Sequence, residues 1–387
     1  MINLRSVLLI IASISTLTTS VLAESAPKEF WVYFGTYTGS NSQGIYRSRF
    51  DATTGRLSPV EIAAETPSPS FLALHPSAPV LYALNENNTP TRQAETGLSA
   101  FAINPTTGAL TLLNRQPAGG SGPAHVSVDR DGKSLLVAHY GSGQIAAVAL
   151  QLDGRLGALG SVIQHTGSSV NPQRQAAPHA HSIYPSPDNR FALAADLGLD
   201  RVLVYRLDSA AATLVPNDPA SASLPPGSGP RHLAFHPNGR FVYVINEMLC
   251  TVAAFRYEAS SGRLTDLQNV STLPPGEAVQ PNFSTAEIHV HPSGTFLFGS
   301  NRGHNSIVVF AVDSSTGQLT YVENQATLGR TPRHFALDPT GGWLLAENQD
   351  TRNVAVFRID AQTGKLTASG PLVDVPTPVC AVFVPIR

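Results

Sequence analysis

From Phe30 to Val384 the chain is built of short runs rich in Val, Ile, Phe and Tyr, each closed by a Gly, Pro, Asn or Asp turn. Runs such as Phe241–Ile245 and Val252–Tyr257 have the length and composition of half-buried strands rather than helices. The runs come in a fixed order. The phrase Pro230-Arg231-His232-Leu-Ala-Phe-His236-Pro237-Asn238-Gly239 returns as Pro332-Arg333-His334-Phe-Ala-Leu-Asp338-Pro339-Thr340-Gly341. Weaker copies begin near Phe71, His125, His181, Glu287 and Cys380. A period of roughly fifty residues made of strands predicts an all-β repeat, a β-propeller of four-stranded antiparallel blades.

Each unit reads as a first strand, a His-Pro-Asn-Gly type turn, a second strand and a third strand. The third strand mostly runs into an Asp-x-x-Thr-Gly-x-Leu turn, as at Asp313–Leu319 and Asp360–Leu366. Third strands near Ile45, Ser99, Ile145, Val202, Val252, Ile307 and Val354 predict seven blades. The seventh first strand, Cys380–Val384, has no second strand after it. The run Phe30–Phe34 is a second strand with none before it. The two are expected to complete one blade and close the ring, which removes exposed sheet edges. No amphipathic helix is predicted between residues 24 and 387, which read as a single domain.

Residues 1–23 have a different pattern. Arg5 precedes an apolar run beginning at Val7, and Val21-Leu22-Ala23 offers small residues for cleavage, as in a secretory signal peptide. The expected location is periplasmic or secreted, with no membrane contact after cleavage. Net charge is −2 and only 13% of residues are charged, so there is no basic stripe for nucleic acid. Cys250 and Cys380 read as buried small hydrophobes. No Cys-x-x-Cys or His-Glu-x-x-His pattern appears, and no metal ligand set is assigned.

In a four-stranded meander the entry of strand one and the exit of strand two share a side. Entries carry His125, His179, His181, Arg231, His232, Glu287, Arg333 and His334. Exits carry Asn85-Glu86, His139-Tyr140, Asp196, Asn246-Glu247, Asn301-Arg302 and Glu347-Asn348. The long loop 165–178, with Arg174, opens on the same side. A concave mouth with convergent polar groups is the expected ligand site. The repeated Asn and Glu also fit a brace between blades. Arginines crowded round one mouth repel each other unless an anion or local carboxylates neutralise them, so an anionic substrate or transition state is expected.

The pieces Phe34-Gly-Thr-Tyr-Thr38, Asn171–His181, Asp196–Asp200, Pro230-Arg231-His232, Asn246-Glu247, Ala286–His289, Ser300–Asn305 and Thr377–Cys380 together resemble the seven-bladed propeller lactonases. That cycloisomerase-2 group includes bacterial 6-phosphogluconolactonase and fungal carboxy-cis,cis-muconate lactonizing enzyme. The resemblance covers nearly the whole chain after residue 24. It implies opening or closing of a lactone ring without a metal or organic cofactor. It implies a catalytic set of His181, Arg231, Glu247 and Arg302, with His179 competing for the role of His181 and Arg333 for that of Arg302. His139 and His334 stand where the resemblance leads one to expect Asn, departures that could alter substrate choice.

Glu247 or His181 could serve as the base for water, and the arginines as oxyanion donors. His125, Arg174, His179, Asp196, Glu287, Arg333 and His334 are the expected substrate contacts. The expected partner is an anionic small-molecule lactone, with the protein a monomer or weak dimer. The alternatives are lactone formation on a muconate-like diacid and a non-catalytic binding propeller.

Overall fold

The computed structural model describes residues 27–86 and 97–386. The leader at 1–23 lies outside them. Seven antiparallel sheets form the ring, and no helix occurs among the described residues. Each sheet is a meander whose first strand is innermost. Blades four to seven begin with Ala180–Pro185, Pro230–Phe235, Ser284–Val290 and Pro332–Leu337. The first blade departs from the four-strand plan. Its outer edge is split into Arg56–Leu57 and Glu61–Glu65, both paired to Gly44–Asp51.

Ring closure follows the expected course. The strand Pro378–Pro385 pairs antiparallel with Glu29–Thr36, from Phe30 opposite Pro385 to Thr36 opposite Pro378. Phe383 then stands edge-on to Phe30 and Phe50 at 6.1 and 5.4 Å. Such aromatic pairs contribute about 0.5–1.5 kcal/mol each beyond the area they bury.

The apolar core is divided among the gaps between blades. Seven buried clusters each draw on two neighbouring blades. Directional bonds reinforce the gaps. Tyr82 Oη donates to the Gly154 carbonyl at 2.8 Å and Tyr243 Oη to the Gly317 carbonyl at 3.1 Å, each in the next blade. Gly317 sits at φ 80°, and a side chain there would strike the Phe241 ring. The Thr-Gly turn therefore needs glycine for its backbone and for the close approach of the preceding blade.

The His-Pro turns on the far side do more than turn. His236 Nε2 donates to the Gly294 carbonyl at 2.9 Å, and His291 Nε2 to the Gly341 carbonyl at 2.8 Å. Both bonds cross to the next blade.

Candidate active site at the channel mouth

The innermost strands carry β-bulges where the chemistry is expected. Ala180 pairs with Asp196 and Ser182 with Ala195, which leaves His181 as the extra residue. Arg231 is extra between Pro230 and His232, and Arg333 between Pro332 and His334. In the sixth blade the shift spans Ala286 and Glu287. A bulge re-aims the side chain it releases from the ladder. The same local irregularity in successive blades thus places His181, Arg231 and Arg333 at one mouth.

The ends of the second strands hold the brace. Asn85 Nδ2 donates to Thr66 Oγ1 at 2.8 Å, and Asn301 and Asn348 donate to the Thr272 and Thr327 carbonyls at 2.9 Å. Each bond reaches the end of the preceding blade. Asp196 fills the same register position, which corrects its assignment to the substrate. It is fully buried, one oxygen takes the His179 and Gly198 amides, and the other meets His165 Nδ1 at 2.6 Å. His139 is likewise buried in the brace, with Nδ1 donating to the Gln144 carbonyl at 3.3 Å, and is not a rim residue.

Glu247 is the electrostatic centre of the mouth. Its carboxylate meets Arg174 at 2.7 Å, Arg302 at 3.1 Å and Arg231 at 3.3 Å. Burial raises its pKa, but Arg302, Arg231 and Arg174 outweigh burial and hold it at about 2. Of the two candidate bases, Glu247 is therefore the less suited, because three cations stabilise its charged form and occupy its oxygens. An internal carboxylate also supplies part of the neutralisation expected from a ligand. Backbone carbonyls supply more: Arg231 donates to Ala286 and Arg302 to Thr285, both at 2.7 Å.

Arg333 is differently placed. It lies over the Tyr37 ring at 5.4 Å and makes no ion pair among the described residues. The Tyr37 hydroxyl donates to Glu86 at 3.0 Å. Arg231, Arg333, Tyr37, Glu86, His232 and Glu287 line a cleft of about 10 Å³, the space of one water molecule.

His181 is 5% exposed, and its buried Nδ1 has no hydrogen-bond partner among the described residues. It packs against Tyr140 and His232 at 5.5 and 5.2 Å. Burial first, then Arg231 and His232, hold its pKa well below the ordinary imidazole value. The ring is therefore neutral at pH 7. His179 stacks on Tyr140 at 4.5 Å, with Nδ1 donating to the Tyr140 carbonyl at 2.7 Å.

Below the mouth, His232 Nδ1 donates to Glu287 at 2.9 Å while its Nε2 accepts from Arg231 at 3.3 Å. Burial, its largest influence, helps hold its pKa at about 4. His334 donates Nδ1–H to Glu347 at 2.8 Å. His125 is corrected from a mouth residue to an interior one. It is fully buried between Phe71 and Tyr184, both at 4.4 Å, and lines the cavity of the opposite face. Cys250 and Cys380 are free and buried, as expected.

Comparison with known proteins places this geometry. The family model described as "Lactonase, 7-bladed beta-propeller" matches residues 31–383. The 6-phosphogluconolactonase of Bacillus subtilis is 37% identical over 351 residues, covering 91% of this chain and 97% of that protein. The 6-phosphogluconolactonase of Formosa agariphila is 33% identical and covers 79% and 86%. Among solved structures, the periplasmic gluconolactonase of Pseudomonas aeruginosa superposes with a TM-score of 0.86 at 34% identity, covering 93% and 100%.

Proposed function

The chain belongs to the seven-bladed β-propeller lactonase family and is a lactonase, a carboxylic ester hydrolase, and from that premise we propose that it is exported and opens a sugar-type lactone at the channel mouth, with no metal in the reacting step. The observation that carries this reading is the convergence of Arg174, Arg231 and Arg302 on Glu247 at one mouth, with Arg231 and Arg333 also acting on the neutral imidazole of His181. Export rests on the leader pattern at 1–23 and on the likeness to a periplasmic gluconolactonase. An exported enzyme meets unphosphorylated aldonolactones, which are the preferred substrate class.

In this reading His181 takes a proton from water as the oxygen adds to the lactone carbonyl carbon. Arg231 and Arg302 stabilise the resulting oxyanion. Collapse of the tetrahedral intermediate breaks the ring C–O bond, and the leaving alkoxide recovers the proton from His181. The product is a hydroxy acid, which ionises and releases one proton to solution. Glu247 is a positioning residue, because its oxygens are already engaged by Arg174, Arg231 and Arg302, whereas His181 Nδ1 has no partner among the described residues. Arg174, His179, Arg333 and the Glu86–Tyr37 pair line the approach and orient hydroxyls or an anionic substituent. A metal would meet four guanidinium groups here and a carboxylate already engaged by three of them.

The same arginines fit a second reading, lactone formation on a muconate-like diacid. Proton release separates the two. Glucono-δ-lactone and its 6-phosphate are supplied with and without EDTA, and spontaneous opening is subtracted. Saturable, EDTA-resistant acceleration is expected with the unphosphorylated lactone. Absence of acceleration on either lactone rejects the hydrolase reading.

A further inference from the structure

The interior of the channel holds a cluster that the mouth chemistry leaves unexplained. Glu287, His289 and His334 place three donor atoms within 4.8 Å of one another. His334 Nε2 lies 3.4 Å from Glu287 Oε2, and His289 Nε2 lies 3.9 Å from Glu287 Oε1. Donor atoms shared by one four-coordinate zinc ion sit about 3.3 Å apart, given Zn–N and Zn–O bonds of about 2.0–2.2 Å. The cluster is therefore close to a ligand set before any adjustment.

The protonation pattern points the same way. His334 donates its Nδ1–H to Glu347 at 2.8 Å, which leaves Nε2 facing Glu287. His289 Nε2 is buried and has no hydrogen-bond partner. The buried Glu287 carboxylate thus gathers ring nitrogens round it: His232 Nδ1 donates to it, and His334 Nε2 and His289 Nε2 face it at 3.4 and 3.9 Å. Glu347–His334 is also the carboxylate–histidine pair that orients metal-bound imidazoles and raises their basicity.

The surroundings leave a coordination position. A cavity of about 460 Å³ opens on the face opposite the mouth and is lined by Glu287, His289 and His334. Cys380 Sγ lies 3.9 Å from His334 Nε2, on the same side. Two imidazoles, one carboxylate and an open position suit a first-row divalent ion, zinc foremost, rather than Ca²⁺ or Mg²⁺, which take mainly oxygen ligands.

We propose that Glu287, His289 and His334 form a zinc site inside the channel, entered from the face opposite the lactone mouth. Glu287 and His334 also line the floor of the mouth cleft, so the site abuts the reacting groups, and Glu287 links the two through its bond to His232.

The test needs no lactone turnover. Untagged protein is incubated with Zn²⁺, desalted and assayed for metal by mass spectrometry. In parallel, Co²⁺ is titrated and its visible spectrum recorded. One ion per chain, with the intense Co²⁺ bands of a four-coordinate N/O site, is the expected result. His289→Ala should weaken binding by at least about a hundredfold. Glu347→Gln should weaken it by about 10–100-fold through its effect on His334. If His289→Ala does not fold, Glu347→Gln reads the same site. Substoichiometric retention by the wild type overturns the proposal, as does undiminished binding in either folded variant.

Discussion

Arg174 donates to Glu247 across 2.7 Å although 73 residues separate them. Arg174 lies on the loop leading into the fourth blade, and Glu247 follows the second strand of the fifth. The contact fastens that loop over the mouth, and Arg302 of the sixth blade meets the same carboxylate at 3.1 Å. One anion thus holds groups from three blades.

Removing that anion strands buried cations. Glu247→Gln is expected to destabilise the fold by about 3 kcal/mol, the range found when one partner of a buried pair is deleted. Thermal melting measures it. An unchanged melting temperature would mean that the three arginines do not depend on Glu247.

The pH dependence has a definite sign. The Glu247 pKa is depressed in the folded state, to about 2 against an ordinary value of about 4.3. Its stabilisation is therefore complete above the unfolded value and is lost as pH falls through the folded one. Melting temperature should decline between about pH 5 and pH 2, and Glu247→Gln should flatten part of that decline.

His181→Ala should lower kcat on the preferred lactone by about 10²–10⁴-fold, the usual contribution of a positioned general base. Because the ring is held well below its ordinary value, the acid limb of the wild-type kcat/KM profile should fall below about pH 6.5. An acid limb that survives in His181→Ala would assign the base elsewhere.

Arg333 makes no internal ion pair among the described residues and is expected to read substrate charge. Arg333→Ala should weaken binding of the hydroxy-acid product, measured as an inhibitor, by about 10–100-fold, in line with charged hydrogen bonds. Equal loss for neutral and anionic ligands would make Arg333 a packing residue instead.

Asp196→Ala tests the brace. It should cost about 2 kcal/mol through the lost bonds to His165 and to the His179 and Gly198 amides, and KM should follow only through His179. Calorimetry and steady-state kinetics on the same sample separate the two effects.

The propeller was legible because its signals are periodic. The orphan first strand at Cys380 and the orphan second strand at Phe30 foretold ring closure from pattern alone. The mouth was legible as a side of the ring, since strand order fixes which ends share a face. The division of labour within it was not. Asn85, His139, Asp196 and Asn301 occupy equivalent positions but brace with different chemistry, so Asp196 and His139 read as ligands. The bulges at His181, Arg231 and Arg333 add one residue each and leave little trace in alternation. The partners of Glu247 come from loops and strands far apart in sequence, and no local spacing announces them. The interblade role of His236 and His291 had a visible cue, a His before Pro at the same turn, that was read only as turn chemistry.

The ring closed by Pro378–Pro385 has no terminal repeat. In a linear array the end units fray first and need caps with a polar outer face. Here every unit is flanked on both sides, and every gap is filled by its own apolar cluster. No gap can widen without narrowing others, so loosening of one unit is opposed around the whole circumference. The arginines at the mouth come from several units, and their separations are set by the circumference rather than by any single loop.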